Sequence, residues 1–264
     1  MISQPIPKAM RDFLQRCLPQ AQADARIDGL AAGGSYITQT LDAFSDLDLV
    51  LAVNSEHYES FFNQMSGFLN QMGPLLACFP GTHVGEPRLF VCIYEQDMLH
   101  VDFKVIKTED FATRVEDPVI LWEREAKLSK ILQKTTPHFP CPGYQWWEDR
   151  FWTWVYYLAQ KLARGEWFEC LDGLAFLRNM VLGPMIQLRH GQQPRGVRYL
   201  EKIAPELKPQ LLATLATYDP TALKNALFSC CELYQTLRKD APEPVNPKQG
   251  METAAIQFLN TIQV

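Results

Sequence analysis

The sequence predicts an α+β protein, in which a small mixed sheet with helices precedes a helical bundle. In the first half of the chain, apolar and polar side chains alternate in short segments, as half-buried strands require. From Trp146 onward, apolar residues recur at helical spacing. The segment 134–144 contains three prolines and one glycine, which is typical of a linker. We therefore expect a domain at residues 1–136, a linker at 137–143 and a helical domain at 144–264.

Apolar spacing and the positions of glycine and proline predict the elements of the first domain. We expect one helix from Pro7 to Leu18 and an amphipathic helix with an apolar stripe from Tyr58 to Met72. A short helix, Tyr36–Leu41, is expected to begin behind Ser35 as its capping residue. Strands are expected at residues 27–32, 46–51, 88–94, 99–106 and 119–122. These elements would form a small mixed sheet with helices on one side.

Composition restricts the class of protein. The chain has 264 residues, of which 47% are hydrophobic and 21% charged, as in a globular protein. A net charge of −5 and the lack of a Lys/Arg run argue against nucleic-acid binding. The N-terminus lacks the apolar core of a signal peptide, and no apolar run approaches the length of a membrane span. Seven cysteines without C-x-x-C spacing indicate reduced core thiols in a cytoplasmic protein, without a zinc site or disulfide framework.

Two carboxylates stand close together at the start of a predicted strand. Asp46 and Asp48 share one face of that strand, with Cα atoms about 6.5 Å apart. Such neighbours repel, and burying them unpaired is costly. A divalent cation removes both problems, and oxygen ligands suit Mg²⁺. The pair therefore predicts a magnesium site; the alternative is a solvated strand end.

A glycine turn precedes this pair. Gly33 and Gly34 allow left-handed backbone angles and close approach to a ligand. Ser35 would cap the short helix that follows, whose free N–H groups favour a phosphate. These three residues predict a phosphate-binding turn beside the metal site.

The order of these motifs resembles the DNA polymerase beta-like nucleotidyltransferase superfamily. The resemblance rests on Gly34-Ser35, a gap of ten residues, and Asp46-x-Asp48 followed by apolar residues. It implies a third carboxylate on a later strand, and Asp102 lies on the polar face of the alternating segment 99–106. Asp102 would be a third metal ligand or the general base; the alternative is a solvated polar row with His100 and Lys104.

The second half resembles the helical domain of aminoglycoside adenylyltransferases and lincosamide nucleotidyltransferases. The resemblance rests on Phe151-Trp152, Tyr157-Leu158-Ala159 and Arg164-x-Glu166. The resemblance assigns no role to Lys104. This residue either reaches the triphosphate or neutralises Asp102.

Two further sets of residues have two interpretations each. An aromatic run would line a cleft between the domains or form the core of the bundle: Trp146, Trp147, Trp152, Trp154, Tyr156 and Tyr157. Glu166 and Glu169 would bind an amine-rich acceptor or remain solvated carboxylates.

The resemblance implies a Mg²⁺-dependent enzyme that transfers AMP from ATP, or a nucleotide from another triphosphate, to a hydroxyl of a small molecule. The acceptor would be an aminoglycoside- or lincosamide-like antibiotic, and two Mg²⁺ ions could take part. Asp46, Asp48 and Asp102 would be catalytic, and Gly33, Gly34, Ser35 and Lys104 would bind nucleotide. Two alternatives stay open: an antitoxin-like enzyme that modifies a protein, and a nucleotide-binding module without activity.

Overall fold

The chain forms two compact units. The computed structural model describes residues 6–263, and its first unit ends at Pro140 and the second begins at Cys141. Each unit has its own apolar core. None of the helices in the described part of the chain combines the length and apolar character that a membrane span requires.

One six-stranded mixed sheet forms the centre of the first unit. Its strands are β1 (Ile27–Ala32), β2 (Leu47–Val53), β3 (Leu75–Gly81), β4 (Glu86–Tyr94), β5 (Leu99–Lys107) and β6 (Val119–Glu123). They lie in the order β3-β4-β5-β2-β1-β6. The central pair β2–β5 is parallel and the other four pairs are antiparallel. The mixed sheet is as predicted, with β3 as an additional edge strand.

Helices pack on both faces of this sheet. The apolar side chains of β2 and β5, such as Leu49 and Phe103, pack in one core with residues of α1 (Lys8–Ala23), α2 (Tyr58–Asn63) and α3 (Met65–Asn70). On the other face, Leu128 of α4 (Lys127–Leu132) packs with Ala52 and Ile106. The prediction of helices on one side was wrong, because the ends of β2 and β5 also carry apolar side chains on the second face.

Three predicted helices of this unit have different bounds. The helix expected to end at Leu18 continues through Pro19 to Ala23, where Ala21 is fully buried. The stripe from Tyr58 to Met72 is buried largely as predicted, but α2 and α3 meet at Gln64, whose backbone leaves the helical region. The helix predicted at residues 36–41 is wrong: a single 3-10 turn, Gly34–Tyr36, occupies its start. A favourable capping residue alone does not offset the cost of starting a helix.

In the described residues 141–263, the second unit contains helices joined by turns and loops, and no strand. They are α5 (Tyr144–Ala163), α6 (Trp167–Leu177), α7 (Gly183–Arg189), α8 (Leu200–Ile203), α9 (Lys208–Ala213), α10 (Pro220–Lys239) and α11 (Gln249–Thr261). A π-helical turn, Arg178–Leu182, separates α6 from α7, which begins at Gly183-Pro184. Asp219 caps α10, because its carboxylate accepts the Ala222 N–H.

All seven cysteines are free thiols, and five of them are buried. Cys78 and Cys141 are exposed, so the prediction of core positions was wrong for these two. Cys78 is exposed because it lies on β3, the edge strand that the sequence did not predict.

Candidate active site

Three carboxylates converge at the centre of the sheet. Asp46 directly precedes β2, Asp48 lies on it, and Asp102 lies on β5. The parallel register places Asp48 directly beside Asp102, and adjacent strands lie about 4.8 Å apart. One carboxylate oxygen from each residue lies within 4.8 Å of those from the other two. The structure thus brings the three predicted aspartates together.

Alternation along the strands explains which side these groups face. Leu47 and Leu49 of β2 and Val101 and Phe103 of β5 are buried in the core under α1–α3. Side chains between them point to the opposite face. All three carboxylates are partly buried there, and 17% of the Asp102 side chain is exposed. The carboxylates are therefore shielded by the sheet on one side and reachable from the other.

The glycine turn contacts the carboxylates directly. The Gly33 N–H donates to the Asp48 carbonyl oxygen over 2.9 Å. Gly34 has φ +54°, and a Cβ there would lie 2.0 Å from Asp48 Oδ2. Position 34 therefore requires glycine both for its left-handed backbone and for space.

The phosphate donors are arranged differently from the prediction. Because no α-helix follows Ser35, the turn lacks the row of N–H groups that a helix N-terminus would present. The Gly34 N–H donates to Glu116 Oε1 over 3.1 Å. Glu116 is thus a fourth carboxylate beside the turn, and nothing in its sequence neighbourhood distinguishes it from a surface glutamate.

Asp102 has an unusual electrostatic environment. Burial raises the pKa of its carboxyl above the ordinary value, and the nearby Asp46 carboxylate adds to the rise. His100 opposes both effects through charge and through the contact of its Nε2 with Asp102 Oδ1 at 2.9 Å. The sequence placed His100 only in an alternative polar row, and the structure makes it the direct partner of Asp102.

Lys104 belongs to an ion-pair network that the sequence did not predict. Its Nζ lies 2.9 Å from Glu86 Oε2, and Arg88 Nε donates to Glu86 Oε1 over 2.8 Å. Arg88 and Lys104 lower the pKa of Glu86 to about 2. The opposite charges at positions 86 and 88, two residues apart, were the available signal for this network.

An exposed aromatic side chain precedes the carboxylates. Phe44 is 97% exposed, and its N–H donates to Asp42 Oδ1 over 2.9 Å. The Ser45 hydroxyl donates to the same oxygen. These hydrogen bonds order the loop that leads to Asp46, and sequence reasoning did not single out Phe44.

For the aromatic run and for the two glutamates of the helical unit, the structure favours a structural role. Trp147 and Trp152 are each 1% exposed, and most other rings of the aromatic run pack against the same core. Glu166 and Glu169 both pair with Lys161, at 2.6 and 3.0 Å.

The donor set fits a hard divalent cation. Three carboxylate oxygens within 4.8 Å of one another concentrate negative charge, and carboxylates are the ligands that Mg²⁺ takes from proteins. The residues present therefore match the magnesium site that the sequence predicts.

A mixed sheet with a glycine turn and converging carboxylates is the arrangement of a nucleotidyltransferase. The chain belongs to the streptomycin adenylyltransferase family, whose model matches residues 8–257. An aminoglycoside 6-adenyltransferase from Bacillus subtilis is 14% identical, with 96% of this chain and 97% of that chain covered and a TM-score of 0.38. A nucleotidyltransferase-like protein from Exiguobacterium sibiricum is 13% identical, with 97% and 87% covered and a TM-score of 0.34. No curated protein matches the chain.

Proposed function

We propose that the protein transfers AMP from Mg²⁺-bound ATP to a hydroxyl of an aminoglycoside antibiotic. The observation that carries this proposal is the convergence of Asp46, Asp48 and Asp102 beside the glycine turn. Membership of the streptomycin adenylyltransferase family supports both the adenylyl donor and this class of acceptor.

Asp46 and Asp48 would hold the magnesium ion, and Asp102 would share a second ion if two are bound. When bound, the metal neutralises negative charge that develops on the α-phosphate and on the leaving pyrophosphate. The half-buried setting of the carboxylates supports this role, because charges interact more strongly where water is partly excluded.

Asp102 would act as the general base. The acceptor oxygen forms a bond to the α-phosphorus, the bond from this phosphorus to the bridging oxygen of the β-phosphate breaks, and pyrophosphate leaves. The hydroxyl proton moves to a carboxylate oxygen of Asp102. His100 would orient that carboxylate through its 2.9 Å contact.

Gly33, Gly34, Ser35 and Lys104 would bind the triphosphate. The left-handed Gly34 lets the backbone of the turn lie directly against Asp48, so a triphosphate held by the turn would lie close to the metal site. Lys104 lies two residues beyond Asp102 on the same face of β5 and would contribute a positive charge, held in place by Glu86.

The two units would have separate roles in the reaction. We assign catalysis to residues 1–136 and acceptor recognition to the helical residues 144–264, joined by residues 137–143. The separate cores of the two units support this division.

The direct test is an incubation of the protein with Mg²⁺, ATP and streptomycin, with other aminoglycosides and lincosamides in parallel. We expect an AMP adduct of at least one aminoglycoside by mass spectrometry, with release of pyrophosphate. GTP, CTP and UTP in place of ATP identify the base preference. Tight binding of Mg·ATP without any antibiotic adduct would contradict the proposed acceptor, and absence of nucleotide binding would contradict the whole proposal.

A further inference from the structure

Two thiols face each other at the edge of the sheet. Cys78 on β3 is the direct register partner of Cys92 on β4, and their Sγ atoms lie 3.6 Å apart. Cys78 is exposed, whereas Cys92 is buried in the core under α1–α3. One thiol of the pair is therefore accessible to small molecules and the other lies directly behind it.

The backbone geometry allows a disulfide here. Directly opposed residues of antiparallel strands have Cα atoms about 4.5–5.5 Å apart. Disulfides span Cα distances of about 4.4–6.8 Å, with an S–S bond of about 2.0 Å. Bond formation thus requires the two side chains to rotate toward each other and needs no movement of the strands. The adjacent thiols of Cys230 and Cys231, by contrast, are both buried in one helix.

We propose that Cys78 and Cys92 form a redox-active dithiol, which closes to a disulfide when it reacts with a low-molecular-weight disulfide such as oxidised glutathione. This inference is independent of the proposed nucleotidyl transfer.

The reaction proceeds in two exchange steps. The Cys78 thiolate attacks one sulfur of the small disulfide, whose S–S bond breaks, and the departing thiolate takes up a proton. The Cys92 sulfur then attacks the Cys78 sulfur of the mixed disulfide, the bond from Cys78 to the small molecule breaks, and the second departing thiolate takes up the Cys92 proton. The protein loses two electrons and two protons, and the small disulfide is reduced to two thiols.

The environments of the thiols determine their order of reaction. Burial raises the pKa of Cys92, and the neighbouring Cys78 adds to the rise, so Cys92 stays protonated. Because the thiolate is the reactive form, the exposed Cys78 attacks first and Cys92 resolves the mixed disulfide.

The structural consequence is a fixed sheet edge. Five consecutive residues of β3, at positions 76–80, are exposed. The disulfide would link this strand covalently to β4. β4 also carries Val91, the register partner of Asp102, and Arg88 of the ion-pair network. The disulfide thus joins the edge strand to the strand that flanks the carboxylates.

The test uses the full chain, fully reduced and then equilibrated in buffers with increasing ratios of oxidised to reduced glutathione. We expect wild type to lose the thiols of Cys78 and Cys92 without a glutathione adduct at either position, and to yield a tryptic peptide pair linked through Cys78 and Cys92. Cys92→Ala should stop at a glutathione adduct on Cys78. Cys78→Ser should form neither product at this site, and Cys141→Ser, which removes the other exposed thiol, should leave the linkage intact.

Stability gives a second readout that requires no variant. The oxidised protein should melt at a higher temperature than the reduced protein, because the bond restricts the unfolded chain. A stable glutathione adduct on Cys78 of the wild type, or linkage only between separate chains, would overturn the inference.

Discussion

Gly34 lies so close to Asp48 that even a methyl group has no room. A Cβ at this position would lie 2.0 Å from Asp48 Oδ2, and the backbone has φ +54°. We expect Gly34→Ala to displace the Asp48 carboxylate and to abolish nucleotide turnover, besides the strain of about 1–2 kcal/mol that a left-handed alanine introduces.

Gly165 supplies the matched control. Its φ is +75°, but a Cβ there would meet no atom within 4 Å. Gly165→Ala should show the same backbone strain in urea unfolding while turnover stays near that of wild type. Full turnover in Gly34→Ala would show that the contact with Asp48 has no catalytic importance.

The second prediction at the scale of residues concerns Asp46 and Asp48. Asp46→Asn and Asp48→Asn should each abolish Mg²⁺-dependent turnover, because loss of one ligand removes charge stabilisation on which phosphoryl transfer depends. Without metal, both variants should melt at or above the wild-type temperature, since three clustered carboxylates repel one another. The control is Asp97→Asn, at an exposed turn before β5. If either site variant turned over Mg·ATP like wild type, the metal assignment would be wrong.

At the scale of elements, the link between β4 and β5 through Glu86 should depend on pH. The pKa of Glu86 falls from 4.5 to about 2 in the folded protein, because Arg88 and Lys104 favour the ionised form. Its contribution to stability is therefore fully present above pH 4.5 and is lost as the pH falls toward 2.

We expect Glu86→Gln to be less stable than wild type at pH 7, by about 1 kcal/mol or less because the pairs are partly exposed. The difference should shrink steadily below pH 4.5. Urea unfolding at a series of pH values measures it, with Glu95→Gln, at an exposed position directly after β4, as the control. A difference that is independent of pH would contradict the ion-pair account.

The sequence predicted most of the strands because burial on one face imposes a period of two on strands such as β5. It did not predict β3, because its residues, Leu75–Gly81, show no alternation and five of them are exposed. The helix behind Ser35 was wrong because a favourable capping residue does not supply the packing that stabilises a short helix. The ion pair of Glu86 with Lys104 joins β4 to β5, and no local sequence pattern determines a contact between residues so far apart in the chain.

The site itself was predictable to the extent that it depends on short-range spacing. Asp46 and Asp48 are two residues apart, so strand geometry alone puts them on one face. Predicting Asp102 required the fold that the resemblance implies, because the parallel pairing of β2 and β5 brings Asp102 beside Asp48. Glu116 reaches Gly34 from 82 residues away through a loop, and no sequence pattern indicates that contact.

At the scale of the whole molecule, each unit depends on its own buried interactions. In the helical unit, Glu148 is 1% exposed and accepts hydrogen bonds from Tyr234 Oη at 2.6 Å, Arg238 Nη1 at 3.0 Å and the Lys248 N–H at 2.7 Å. These contacts join α5 to α10 and to the start of α11.

Glu148→Ala should destabilise the protein by about 3 kcal/mol, the lower end of the range for a broken buried ion pair, because Arg238 keeps Glu252 as a partner. Asp149→Ala removes an exposed carboxylate from the neighbouring position and should destabilise the protein much less than Glu148→Ala. Urea unfolding followed by tryptophan fluorescence measures both, since five of the six tryptophans lie in the helical unit at positions 146, 147, 152, 154 and 167. Equal losses in the two variants would contradict the assigned importance of Glu148.

The most direct test of the central claim compares nucleotide affinity and single-turnover rate in Asp102→Asn, with an antibiotic acceptor identified from the panel. If Asp102 is the general base, calorimetry should show Mg·ATP affinity close to that of wild type, because Asp46 and Asp48 still hold the ion. The rate of AMP transfer should fall by about 10²- to 10⁴-fold. If Asp102 instead holds a second ion, the rate should fall and its dependence on Mg²⁺ concentration should also change. An unchanged rate would remove Asp102 from the active site and contradict the account.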